Sequence, residues 1–267
     1  MTTHMPQDWP QSWEVPEFRE DVFAERYADY CLVIPVINEG ERIRSQLRRI
    51  ADLDTGLDVI IADGGSTDGS LEVDFMHETN VRARLTKIGP GRLSAQLRMA
   101  YGWAMQQGYN GVVTIDGNGK DAVEGISTIR DKLVEGFDYV QGSRYAPGGR
   151  AVNTPFSRWF AVRFIHAPVI SLAARHWFSD TTNGFRGYSR TYLTDPRVQP
   201  FRAVFNDYNL LFYLSVRASQ LGFRVTEVGV TRAYPASGKL PTKITGLGSK
   251  LRLMGELFGA AFGAYHP

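Results

Sequence analysis

Short apolar runs alternate with amphipathic stretches from Cys31 as far as Arg144. Cys31-Leu32-Val33-Ile34-Pro35-Val36-Ile37 is a β-rich run that the turn Asn38-Glu39-Gly40 closes. Glu41 to Ala51 then carries Ile43, Leu47 and Ile50 at helical spacing. A second buried strand is predicted over Leu57 to Ala62, a helix over Ser70 to His77 and a third strand over Ala83 to Ile88. Gly89-Pro90-Gly91-Arg92 leads into a helix over Leu93 to Gln107, and the strand after it stops abruptly at Asp116. A helix over Ile126 to Val134 and a strand over Tyr139 to Gly142 follow. Strands and helices alternating at this pitch predict an α/β fold with a mostly parallel, twisted sheet.

Beyond Arg144 the pattern is less regular. Pro155 to Phe178 reads as one or two helices broken near Pro168, Asp180 to Tyr188 as a loop and strand, and Tyr208 to Leu221 as a helix. Phe223 to Val230 reads as a strand that feeds a Gly- and Pro-containing loop, Thr231 to Ile244. Leu251, Met254, Leu257, Phe258, Ala261, Phe262 and Tyr265 give an amphipathic terminal helix. The first 28 residues are rich in Pro, Gln, Trp and acids, with a short helical pattern from Pro16 to Tyr27. They read as an extension that packs on the domain or stays mobile. The expected division is therefore an extension (1–28), one domain (29–245) and a terminal helix (246–267).

What the strands deliver is chemical. Three of them end in polar loops: Asn38-Glu39, Asp63 with Asp68, and Asp116 with Asn118 and Asp121. Parallel strands share one carboxyl edge, where ligands of open α/β sheets bind, so these loops are expected to converge on one cleft. Asp-Gly and Asn-Gly are also strong turn formers without any ligand. A cleft rich in carboxylates suits a hard divalent cation seated on phosphates, and the adjacent glycines let the backbone approach a ligand closely.

Composition narrows the class. The 267 residues are 43% hydrophobic and 22% charged, ordinary for a globular protein. The single Cys31 excludes an intramolecular disulfide and a cysteine-based zinc site, and fits a reducing compartment. No secretory signal is expected, and Trp159 to Phe178 contains Arg163, His166, Pro168, Arg175 and His176, too many costly groups for a membrane span. The net charge of +2 argues against a dedicated nucleic-acid binder. Yet Arg144 to Arg190 holds seven Arg and one acid, so 7 − 1 = +6 sits there and 2 − 6 = −4 elsewhere. Arginine without lysine suggests fork-shaped recognition of phosphate or carboxylate.

Val33-Ile34-Pro35-Val36-Ile37-Asn38-Glu39, then Ile61-Ala62-Asp63-Gly64-Gly65-Ser66-Thr67-Asp68-Gly69, then the Asp116 motif together resemble the family 2 glycosyltransferases of GT-A fold. Gly142-Ser143-Arg144-Tyr145 with Gly148-Gly149, Ser157-Arg158, and Asp180-Thr181-Thr182-Asn183-Gly184-Phe185-Arg186 resemble the dolichol-phosphate mannosyltransferase branch and its bacterial polyprenyl-phosphate relatives. The resemblance runs from about Leu32 to Lys239. It implies an inverting transfer of a sugar from a GDP- or UDP-linked donor to a polyprenyl phosphate or related membrane acceptor. It implies that Pro35, Asn38, Glu39 and Asp63 hold base and ribose, with Gly65, Arg92 and Lys120 also on the nucleotide-sugar side. The Asp116 motif, with Asn118 and Asp121, would hold Mg2+ or Mn2+ on the diphosphate. Arg144, Arg158, Arg186 and Lys239 would contact the acceptor phosphate or diphosphate, and Asp116, Arg144 and Asp207 are the candidates for catalysis.

The chain departs from that pattern. Asn118 stands where a second Asp is common, Lys120 where a Gln is, and Gly64 where an Asp is usual. An ammonium cannot ligate a metal while charged. Either Asp121 replaces the lost ligand, or Lys120 binds a phosphate and the metal is held more weakly. Two other readings stand beside the phosphate acceptor: a glycan hydroxyl acceptor with Asp207 as base, and a non-catalytic nucleotide-binding module. Asp207 also reads as an N-cap for the helix at Tyr208. Aromatic residues mixed with Arg158, Arg163 and Arg175 suggest peripheral attachment to the inner face of the membrane from a cytoplasmic location. The oligomeric state is left open.

Overall fold

The computed structural model describes residues 2–4, 9–235 and 246–267. Its strands and helices, in chain order, are β1 (Thr2–His4), β2 (Phe18–Val22), β3 (Tyr30–Val36), α1 (Glu41–Ala51), β4 (Asp58–Asp63), α2 (Val73–Glu78), β5 (Val81–Lys87), α3 (Leu93–Gln106), β6 (Gly111–Thr114), α4 (Gly125–Val134) and β7 (Tyr139–Ser143). There follow β8 (Arg150–Val152), α5 (Phe156–Ala161), a π-helical turn (Val162–His166), α6 (Ala167–Ala174), β9 (Arg186–Ser189), α7 (Arg190–Thr194), α8 (Asn209–Gln220), β10 (Val225–Gly229), β11 (Thr231–Ala233) and α9 (Gly246–Ala261).

Among the described residues the main sheet runs β1-β2-β5-β4-β3-β6-β9-β7-β10, and a two-stranded sheet joins β11 to β8. The central strands β5, β4, β3 and β6 are parallel, as the alternation predicts. Antiparallel β9 is inserted between β6 and β7, so the chain after Arg144 returns into the middle of the sheet.

Period-two alternation sorts the strand side chains onto two faces. Cys31 and Val33 pack with α3, α6, α8 and α9 on one side, while Leu32, Ile34 and Val36 pack with α1, α2 and α4 on the other. Both faces are covered, which is why β3 and β4 read as continuous apolar runs. Each fully buried Leu, Ile or Val contributes about 1.5–3 kcal/mol. That burial, rather than the loops, holds the sheet edge in place.

Two expectations change. The Pro16 to Tyr27 stretch is not helical: Phe18–Val22 adds an antiparallel strand to the otherwise open edge of β5, which satisfies its backbone, and Arg84 of β5 pairs with Asp21 at 2.8 Å. Trp13 stacks 4.1 Å from Phe201, so at least this part of the extension is packed. The helix containing Pro168 does not break there. Proline supplies no N–H, and the turn before it widens so that the Ala167 N–H bonds Val162 O, absorbing the misfit as a π-bulge. In the Thr231 to Ile244 loop the first three residues form β11, and residues 236–245 lie outside the described residues.

Candidate active site

The three polar strand ends do meet. Asn38, in left-handed conformation with φ 49°, donates its N–H to Ser66 Oγ (3.0 Å) and accepts from the Thr67 N–H at Oδ1 (2.8 Å). Gly40 N–H bonds Asp68 Oδ2 (2.8 Å), so the loops after β3 and β4 are laced together. Asp63 accepts from the N–H groups of Gly65 (3.1 Å) and Ser66 (2.8 Å) and from Thr86 Oγ1 (3.2 Å), which fixes the turn around it. Glu39 pairs with Arg42 at 2.7 Å. The third loop is tied in by the Gly117 N–H on Pro35 O (3.3 Å). A Cβ at Gly117 would lie 2.9 Å from that same oxygen, so the close approach needs glycine. Gln46 of α1 clamps the loop, donating to Asp116 O (3.1 Å) and accepting from the Gly119 N–H (3.1 Å).

At the centre lies an ion cluster. Arg232 Nη2 contacts Asp116 Oδ2 at 3.1 Å, and Arg232 Nη1 bonds both Asp121 Oδ2 and Asn183 Oδ1 (3.1 Å). Arg232 is placed by β11, whose backbone is stitched to the Asp116 loop: Ala122 N–H bonds Thr231 O (2.9 Å) and Ala233 N–H bonds Lys120 O (2.8 Å). Burial alone raises the Asp116 carboxyl, but the charge and hydrogen bonds of Arg232, helped by Lys120, hold it below the usual carboxylate range. Lys120 is buried, and burial together with the Arg232 charge pushes its ammonium down to about 8. Asn118 donates Nδ2 to Asp116 Oδ2 (3.3 Å) and accepts the Lys120 N–H at Oδ1 (3.2 Å).

Tyr234 gathers the cations. Lys120 Nζ lies 5.4 Å, the Arg158 guanidinium 5.5 Å and that of Arg232 6.0 Å from its ring centroid. Its hydroxyl also accepts from Arg144 Nη1 at 3.4 Å. Arg144 itself is buried, gripped bidentately by Asp180 at 2.7 and 2.9 Å and by Thr182 Oγ1 at 2.8 Å. It therefore reaches the cleft through Tyr234, while Arg158, half-buried on α5, faces the same ring. Beside Lys120, a groove of about 500 Å³ opens between α1 and the Tyr234 segment.

The remaining sequence candidates have partners of their own. Arg186 was expected at a phosphate. It is 1% exposed and its guanidinium is spent on Thr181 O, Asn183 O, Leu211 O and Ser215 Oγ, so it braces β9 against α8. Asp121 was expected at a metal, but it is buried against Arg232. Arg92 precedes α3 and stands 3.4 Å from Asp207, whose other oxygen meets Arg252 at 3.2 Å. Asp207 is not the cap of α8: that position is Tyr208, and its N–H bonds Glu256 (2.9 Å). Gly65 sits at φ 93° in the β4 loop, and Lys239 lies outside the described residues.

Sequence reasoning missed Arg232, Tyr234 and Gln46, and gave Asp180, the first residue of the motif that ends at Arg186, no role of its own. A cation two residues after a strand was visible at Arg232, but nothing local tied it to Asp116, because β11 reaches that loop only through its pairing.

No family model matches the chain. It is 28% identical over 214 residues to the polyprenol monophosphomannose synthase of Mycolicibacterium smegmatis, covering 75% of this chain and 76% of that protein. It is 29% identical over 214 residues to the undecaprenyl-phosphate mannosyltransferase of Micrococcus luteus, covering 74% and 81%. The chain is thus similar, over about three quarters of its length, to two polyprenyl-phosphate mannosyltransferases. Its fold is GT-A. The glucosyl-3-phosphoglycerate synthase of Mycobacterium tuberculosis superimposes with a TM-score of 0.62 at 18% identity, covering 88% of this chain and 79% of that one. The same enzyme bound to Mn2+, UDP and glucosyl-3-phosphoglycerate gives 0.58 at 17% identity, covering 88% and 78%.

In this cleft a guanidinium stands between the two carboxylates expected at a divalent cation. Among the described residues no three His, Cys, Asp or Glu side chains cluster as ligands. The space between Asp116 and Asp121 is bridged by a guanidinium, and Asn118 turns an N–H donor, not an oxygen, toward Asp116. Fixed cations stand where a cation would be sought.

Proposed function

We propose that this protein transfers a sugar, with inversion, from a nucleotide-diphosphate donor to a polyprenyl phosphate, as a family 2 glycosyltransferase. Pro35, Asn38, Glu39, Asp63 and Gly65 take base and ribose, with Arg92 and Lys120 toward the diphosphate. Asp116 faces the sugar. Arg158, with Arg144 behind it through Tyr234, takes the acceptor phosphate. The acceptor oxygen forms a bond to the anomeric carbon as the bond from that carbon to the diphosphate oxygen breaks, and the nucleoside diphosphate leaves with the electron pair. A phosphate acceptor, with a second pKa of roughly 6, is ionised near neutrality and needs no base. Fixed guanidinium and ammonium groups stabilise charge on the departing diphosphate.

One observation carries this reading. The segment that aims Arg158 at Tyr234 also exposes Phe156 (75%), Phe160 (47%) and Phe164 (60%), which pack in a row with Trp159. A phosphate-binding cation beside an apolar patch matches a headgroup with a lipid tail. Among the described residues no helix is long and apolar enough to cross a membrane, so attachment through this patch would be peripheral.

The test is transfer of radiolabel from GDP-mannose, GDP-glucose, UDP-glucose and UDP-galactose to undecaprenyl phosphate in detergent, read in the organic phase. Labelled lipid with at least one donor is expected. Label passing only to hydroxyl acceptors, and abolished by Asp207→Asn, would replace this reading with the glycan one.

A further inference from the structure

We propose that Arg232 and Lys120 take the place of a divalent cation at the donor diphosphate, so that this cleft binds a nucleoside diphosphate without metal. The inference rests on the donor side of the proposed function. The Arg232 guanidinium spans Asp116 and Asp121 and is 4% exposed, and an ion between those carboxylates would need the same space and meet the same positive charge. It is not a side chain that swings in from solvent, because β11 is bonded to the Asp116 loop on both sides of Asp121, through Ala122 N–H and Lys120 O. Turning Asn118 to offer its oxygen would give up both its bond to Asp116 Oδ2 and the Lys120 N–H that its oxygen now accepts.

The charge balance agrees. Asp116 and Asp121 are offset by Arg232 and Lys120, so the cluster is neutral without any ion, and Arg158 adds a further cation over the same Tyr234 ring. Asp116 and Lys120 lie on the loop that follows β6, at the edge where β3 and β4 deliver Asn38 and Asp63. A diphosphate held between that edge and Tyr234 meets the point charge of Lys120 over the Tyr234 ring, with the buried guanidinium of Arg232 behind it adding its field while it holds the two carboxylates.

Isothermal titration of GDP and UDP into the full chain decides the matter, in EDTA and again in Mn2+. The expected result is binding in EDTA with a Kd within about threefold of that in Mn2+. Binding seen only with Mn2+ overturns this inference and leaves the donor reading intact; binding of neither nucleotide in either buffer overturns both. Lys120→Gln, which removes the ammonium from a loop held by backbone bonds, is expected to weaken binding in EDTA by about tenfold or more. Lys120→Arg is expected to keep most of it. Unchanged affinity in Lys120→Gln overturns the inference. The nucleotide-free protein is expected to leave the Mn2+ electron paramagnetic resonance signal unattenuated, and micromolar attenuation at one site would likewise overturn it.

Discussion

Arg232 Nη2 stands 3.1 Å from Asp116 Oδ2 while Nη1 of the same guanidinium bonds Asp121, so one side chain fixes both ends of the loop that carries the leading carboxylate. Removing it leaves Asp121 buried without its counter-charge. Arg232→Met is expected to cost about 3–5 kcal/mol, measured by urea unfolding. Adding Asp121→Asn to that variant is expected to recover part of the loss, because the stranded charge goes with it. Equal losses in the single and double variants would show that the pair is not coupled.

Arg144 and Asp180 form a second pair, 1% and 0% exposed, and lie behind Tyr234. Arg144→Lys keeps the charge but cannot reproduce the two parallel bonds at 2.7 and 2.9 Å. It is expected to lower stability by about 2–3 kcal/mol in thermal unfolding and to weaken polyprenyl phosphate binding with little effect on the nucleotide. A loss confined to nucleotide affinity would place Arg144 on the donor side instead.

These pairs mark the boundary of what the sequence discloses. Cys31 to Ile37, Leu57 to Ala62 and the run before Asp116 are legible because burial on both faces leaves uninterrupted apolar runs, and parallel pairing then brings Asn38, Asp63 and Asp116 together. Arg232 and Asp180 are illegible for the opposite reason: their partners are set by the antiparallel insertion of β9 and by the β11–β8 pairing, which no local period encodes. Arg186 shows the converse error. Its neighbours in sequence point to a phosphate, whereas its position on β9 turns it inward onto carbonyls of α8 and its own loop. Phe18–Val22 is a strand because an edge needs covering, a cause that acts from outside the segment.

His166 sets a pH limit. Burial, aided by the Arg158 charge, pushes its imidazole down to about 4, well below its unfolded value of about 6.5. The unfolded chain binds the proton first, so the stability tied to neutral His166 is complete above about 6.5 and is lost as pH falls toward 4. The loss at the acid end is about 3 kcal/mol. His166→Phe is expected to flatten the stability profile between pH 6.5 and 4, read from urea midpoints. A variant that keeps the wild-type slope would assign that slope to other groups.

The aromatics of α5 and the π-turn are exposed, so Phe160→Ser with Phe164→Ser is expected to change stability by less than about 1 kcal/mol. The same variant is expected to lose binding to vesicles containing anionic lipid in a sedimentation assay, and to keep nucleotide affinity. Undiminished vesicle binding would move the contact to another face, of which the exposed Phe262 at the end of the chain is the next candidate.

Gly184 tests whether Asp116 must stay where it is. A Cβ there would lie 3.0 Å from Asp116 Cγ and closer still to Oδ1, while the other carboxylate oxygen is already committed to Arg232 and Asn118. Gly184→Ala must therefore displace the carboxylate, and a shift on the order of 1 Å at a reacting group costs roughly 100-fold in turnover. Gly187→Ala provides the contrast: its Cβ would come 2.7 Å from Ile129 Cγ2 in the core beneath the sheet. Overpacking there costs typically 1–3 kcal/mol and leaves the cleft alone. Sugar transfer per folded molecule is thus expected to fall in Gly184→Ala and to hold in Gly187→Ala. Full turnover in Gly184→Ala would mean that Asp116 tolerates displacement, and that it serves the loop rather than the reaction.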